Sequence, residues 1–109
     1  DAAEDYLFVK SEYKIRRINL NDILFIEGLR EYVKIVLKAD KPILSLMSLK
    51  SLEEHLPKNR FMRVHRSFIV HLNEIKTIER SRIIFDKTYI PVSEQYKEKF
   101  QEFLRKRFL

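Results

Sequence analysis

Phe61-Met62-Arg63-Val64-His65-Arg66-Ser67-Phe68-Ile69-Val70-His71 reads as a strand, a polar corner and a second strand. Its flanks carry the β-branched and aromatic residues that suit a pleated, half-buried surface. Residues 64–67 break the two-residue alternation of a strand, and Phe68-Ile69-Val70 resumes it. A core-building segment has little use for arginine, histidine and serine side chains set so close together. The corner is therefore expected to be a bend that a rigid sheet holds out, suited to reading an anionic surface.

Outward from this corner the same pattern recurs in both directions. Strands are predicted at 6–10, 13–18, 23–27, 32–37, 43–46, 61–64, 68–71, 75–80, 83–85 and 89–92, with turns at 19–22, 38–41, 72–74 and 86–87. About ten short strands exceed the usual size of one sheet, so a mostly β domain of two packed sheets or a layered arrangement is expected. Two segments carry helical spacing instead. In 48–56 the residues Leu49, Leu52 and Leu56 share a face behind Ser48 as N-cap, and Pro57 stops the run. In 93–104 Tyr96, Phe100, Phe103 and Leu104 form a stripe behind Ser93, with Arg105-Lys106-Arg107 at the negative helix end. Each helix gives its apolar stripe to the sheet and shows an outer face of mixed charge, so loops must do most of any nucleic-acid reading.

The 109 residues, 45% of them hydrophobic, suffice for one compact core and are too few for two ordinary domains. With no cysteine there is neither a disulfide framework nor a thiolate metal site. No apolar run is long enough to span a bilayer, and Asp1-Ala2-Ala3-Glu4-Asp5 is acidic where a signal peptide would be basic, so a soluble intracellular chain is expected. The net charge of +6 is local: residues 58–82 hold seven cations against Glu74 and Glu79. That concentration around the polar corner argues for phosphate or another polyanion as partner.

Five blocks in order carry a family resemblance. Phe25-Ile26-Glu27, Tyr32-Val33-Lys34-Ile35, Leu49-Lys50-Ser51-Leu52-Glu53, Phe61 through Val70, and Ile90-Pro91-Val92-Ser93 resemble the LytTR-type (LytR/AlgR-family) DNA-binding domain. The resemblance runs from about Tyr6 to about Leu104 and implies an elongated, mostly β fold of layered sheets, with a short central helix and a C-terminal helix. It also implies residues 1–5 as a linker remnant ahead of a DNA-binding domain over 6–109. In the whole protein it implies a receiver domain, absent from this chain, and a cognate sensor histidine kinase, in a cytoplasmic bacterial response regulator. The partner would be double-stranded DNA at promoter repeats, with the fragment monomeric and paired on DNA. No cofactor or metal is implied.

The resemblance further implies three contact regions entering major grooves from one edge of the sheets. The first is the turn 28–32, offering Arg30 and Tyr32; the second is His65-Arg66-Ser67; the third lies around Ser93 and Gln95 at the start of the last helix. Arg66 has the fork to meet guanine O6 and N7, and Ser93 or the helix start could hold a phosphate. Lys50, Arg63 and Lys97 are expected on phosphates. Many members carry arginine after the matching Val92-Ser93, where this chain has Glu94-Gln95; Gln95 could meet adenine, while Glu94 would repel phosphate unless turned away.

Each residue also has a plainer reading. His65 could cap the bend through a backbone hydrogen bond, Arg66 could pair with Glu74 or Glu79, Tyr32 could be a half-buried aromatic, and Gly28 could serve a bulge or tight turn. Phe68, Ile69, Val70, Phe100 and Phe103 are expected in the core. His65 and His71 with Asp86 or Glu74 make at most a weak metal pattern, and no HExxH, P-loop or nucleophile elbow appears, so the chain is not expected to be an enzyme. A basic RNA-binding domain or a protein-interaction module remains as the alternative; the former has few exposed aromatic platforms to use.

Overall fold

The computed structural model describes residues 5–109, so most of the expected linker lies outside the described residues. Asp5 already ties into the fold, since its backbone carbonyl accepts the Leu20 N–H at 2.8 Å and its carboxylate lies 3.4 Å from Arg60. Ten strands follow in order, β1 (Tyr6–Ser11), β2 (Lys14–Asn19), β3 (Ile23–Leu29), β4 (Tyr32–Leu37) and β5 (Ile43–Leu46), then, after helix α1 (Leu49–Glu53), β6 (Phe61–His65), β7 (Phe68–His71), β8 (Thr77–Glu79), β9 (Arg82–Phe85) and β10 (Thr88–Pro91). Helix α2 (Glu94–Arg105) closes the domain.

The strands form a central five-stranded sheet in the order β5-β4-β3-β7-β6, a two-stranded sheet β1-β2 and a three-stranded sheet β10-β9-β8. The molecule is elongated, 45 × 32 × 25 Å. Period-two alternation sends neighbouring residues of β3 to opposite faces of the central sheet. Ile26 joins Val9, Ile18, Val33, Ile35 and Leu52 in a core beneath the β1-β2 hairpin and α1, while Phe25 joins Val70, Ile83, Ile90 and Phe100 in a second core beneath the three-stranded sheet and α2. Each such side chain, fully buried, contributes about 1.5–3 kcal/mol. The central sheet is thus clamped from both sides, which keeps its turns fixed relative to one another.

The break in alternation at the polar corner has a definite cause. The β6-β7 register shifts between Arg63 and His65, leaving Val64 as an extra residue that turns fully into the second core. A bulge of this kind bends its strand and re-aims the side chains beyond it. The corner is built on such a kink.

Several local expectations change. The strand expected at 75–80 is only Thr77–Glu79, because a 3-10 turn at Leu72–Glu74 swings Ile75 onto the second core. Helix α1 is shorter than 48–56, although Ser48 caps it as expected, its Oγ accepting the Ser51 N–H at 3.0 Å, and Leu56 stays buried beyond it. The Ser93 hydroxyl makes no capping bond to α2. Gly28 does not serve a turn: it lies within β3 with negative φ and faces α1, where a Cβ would meet Leu49 Cδ2 at 3.4 Å, an ordinary contact. The left-handed position at this hairpin is taken by Arg30, with φ 55°. Phe68 and Phe103 are half-buried, while Ile69, Val70 and Phe100 are in the core.

His71 is fully buried, its ring stacked on Phe61 with centroids 4.3 Å apart. Its Nδ1–H donates to the Ile23 carbonyl at 2.8 Å, and Nε2 has no partner among the described residues. Burial pushes its pKa below the ordinary value of 6.5. His71 lies at the end of β7 away from the polar corner, so it shares no site with His65. Among the described residues no helix is long and apolar enough to cross a membrane.

Candidate nucleic-acid interface

Three backbone hydrogen bonds gather loops from distant parts of the chain onto one edge. The Gly28 N–H donates to the Ser67 carbonyl at 2.8 Å, continuing the pairing of Glu27 with Phe68 and setting the β3-β4 tip beside the β6-β7 turn. The Ser93 N–H donates to the Val64 carbonyl at 3.0 Å, which brings the start of α2 to the same turn. The Val92 N–H donates to the Ser81 carbonyl at 3.1 Å and adds the β8-β9 tip. The structure therefore places the regions around Arg30 and Tyr32, around His65, Arg66 and Ser67, and around Ser93 and Gln95 on one side of the molecule. Pairing of Tyr32 with Leu46 leads β5 to the same end, from which the chain enters α1 and its exposed Lys50.

Within this edge the side chains divide by what already holds them. Arg66 is exposed, and among the described residues its guanidinium has no hydrogen bond or ion pair; Glu74, one of its imagined partners, lies 2.9 Å from Lys38 instead. Arg30 is exposed on its left-handed tip, and Tyr32 keeps 48% of its surface open. His65 does cap the bend: its Nδ1 accepts the Ser67 N–H at 3.1 Å, which puts the ring proton on Nε2 and leaves that atom as a donor. Half-buried Ser67 is held by its backbone on both sides, through this bond and the one from Gly28.

Two residues expected at phosphates have internal partners. The Arg63 guanidinium donates to Glu53 Oε1 at 2.9 Å, to the His65 carbonyl at 3.0 Å and to the Arg66 carbonyl, with 17% of its side chain exposed. Lys97 pairs with Glu94 at 3.2 Å on the first turn of α2, so its charge is offset by that carboxylate. Gln95 is exposed beside them.

Two features escaped the sequence reading. The turn of Arg80 and Ser81, both with positive φ, joins the edge through Ser81, but its residues lack the Asn-Gly chemistry that announces a two-residue hairpin. The charge run 58–82 also divides in space. Arg60 lies at the opposite end of β6, beside Asp5 and Asn21, and Lys76 lines a groove with Lys38, Glu74 and Asp86. Of that run, Arg66 and Arg80 are the exposed cations on the turns of the gathered edge.

Comparison with known proteins agrees with this architecture. A family model described as the LytTr DNA-binding domain matches residues 13–105. The chain is 32% identical over 100 residues to the sensory transduction protein LytT of Bacillus anthracis, covering 86% of this chain and 40% of that protein. It is 36% identical over 94 residues to the heme-containing CO-sensing transcriptional regulator RcoM 2 of Paraburkholderia xenovorans, covering 80% of this chain and 35% of that protein. Among solved structures it is similar to the LytTr DNA-binding domain of a putative methyl-accepting/DNA response regulator from Bacillus cereus, with a TM-score of 0.75 and 26% identity over 92% of this chain and 96% of that one. The chain thus spans well under half the length of the curated relatives it matches.

Proposed function

The chain belongs to the LytTr DNA-binding domain family, and from that premise we propose that it binds double-stranded DNA sequence-specifically as the output domain of a bacterial transcription regulator. The observation that carries this reading is the bond between Gly28 and Ser67, which makes one surface of two turns whose arginines, Arg30 and Arg66, have no side-chain partner among the described residues. Arg66 reads guanine through its two-pronged fork, and the Nε2–H of His65 supplies a second donor beside it. Arg30 and Tyr32 meet a neighbouring part of the groove, Ser67, Ser93 and Gln95 complete the contacts, and Lys50 and Arg80 rest on phosphates. Lys97, countered by Glu94, adds little charge.

In the whole protein this domain answers a receiver that a sensor kinase phosphorylates, and two copies occupy adjacent repeats, because one small domain offers few base contacts. A second reading rests on the 36% identity to RcoM 2, a protein named for CO sensing: the regulating domain is then a ligand sensor. Selection of preferred sites from random duplex by this chain tests the common core of both readings. A recurring motif containing guanine is expected. Recovery of no motif, or displacement of the bound duplex by an equal amount of single-stranded RNA added as competitor, would overturn it.

A further inference from the structure

We propose that Arg63 is a positioning residue for sequence recognition: anchored by Glu53, it fixes the direction in which Arg66 leaves the protein, without itself touching DNA. The proposal rests on the reading of Arg66 as the base-contacting residue. Its basis is the identity of the two carbonyls that Arg63 holds. The His65 carbonyl belongs to the peptide unit preceding the Arg66 Cα, and the Arg66 carbonyl to the unit following it. Nε–H and Nη2–H of one rigid guanidinium hold one carbonyl each. The second unit is also held from its other side, where the Ser67 N–H donates to His65 Nδ1. With both peptide planes fixed, φ and ψ of Arg66 are fixed, and with them its Cα–Cβ bond. An exposed side chain that reaches for a guanine edge thereby starts from a set direction, and less freedom remains to be lost on binding.

Glu53 completes the arrangement. It stands at the last residue of α1, where a carboxylate gains nothing from the helix dipole, and it accepts from Arg63 Nη1 at 2.9 Å. Helix α1 is in turn seated on β3 through Leu49 against Gly28. The turn carrying Arg66 is thus referenced to the same strand that presents Arg30. A planar fork with several donors is needed to span Glu53 and two carbonyls together, which a lysine ammonium cannot reproduce.

Glu53→Ala separates this role from a phosphate contact, because the two predict opposite signs. If Arg63 bound a phosphate, removing the adjacent carboxylate would free it and tighten binding to every duplex. If it positions Arg66, affinity for the selected duplex falls about tenfold, while affinity for random duplex is unchanged or slightly higher. Glu53→Gln, which keeps an acceptor oxygen for Nη1, is expected to restore most of the preference. Arg63→Lys, which keeps the charge, should also lose the preference with its salt dependence unaltered. Thermal unfolding of each variant identifies a merely structural role, in which binding to both duplexes falls in proportion to the folded fraction. Tighter binding of Glu53→Ala to both duplexes, or a proportional loss on both, overturns the proposal. If the unchanged chain shows no preference for the selected duplex, the base-reading role of Arg66 fails, and the positioning role with it.

Discussion

The amide of Gly28 and the carbonyl of Ser67, 2.8 Å apart, join two turns that are nearly forty residues distant in sequence. Both turns rise from strands of the central sheet, which is packed on both faces, so neither can drift from the other without breaking a core. The consequence is an edge whose geometry is set before any partner arrives.

Arg66→Ala is expected to weaken binding to a selected duplex by about 1–3 kcal/mol and to relax preference at one base position. Its effect on random duplex should be small. Competition titrations with both duplexes measure the difference, and equal losses would remove Arg66 from base reading.

Lys50→Ala should act differently, because a phosphate contact carries no sequence information. Binding weakens alike on all duplexes, and the log-log salt slope becomes shallower by about 0.9. An unchanged slope would place Lys50 off the DNA.

Buried His71 is expected to make the fold acid-sensitive. Burial is the chief cause of its lowered pKa, with Arg60 and Lys38 acting in the same direction against the Ile23 hydrogen bond and Glu74. In the unfolded chain the ring takes up its proton near 6.5, whereas the folded chain resists it. Below that pH the unfolded state therefore binds more protons, and the stability present above it is lost as pH falls toward the folded value. The thermal midpoint should drop between about pH 7 and pH 5.5, and His71→Phe should flatten that drop. A wild-type midpoint independent of pH across this window would contradict the assignment.

Gly28→Ala should be tolerated or stabilise by up to about 1 kcal/mol, since φ is negative and the new Cβ would meet Leu49 in contact rather than collision. Gly28→Leu should displace α1 and cost about 1–3 kcal/mol. Denaturant midpoints of the two variants check the pair, and a large loss for alanine would restore a backbone role to the glycine.

Much of the fold was legible because alternation and β-branched composition mark the strands directly, and Leu49, Leu52 and Phe100 mark the helical faces. The tips were harder. Arg30, Arg80 and Ser81 adopt left-handed conformations without glycine or asparagine, so the residue types that normally announce such turns are missing. Charge read along the chain grouped Arg60 and Lys76 with Arg66, although strand direction carries them to the other end. Arg63 looked like a free cation because its partners, Glu53 and two backbone carbonyls, become neighbours only when α1 and the bulge are in place.

If one preformed edge meets one duplex, backbone amide NMR shifts during titration with a selected duplex cluster at 28–32, at Lys50, and at 65–67, 80–81 and 93–97, and leave Lys38, Arg60 and Lys76 unmoved. Perturbations centred on those three residues at the opposite end, with the Gly28 and Ser67 amides silent, would contradict it.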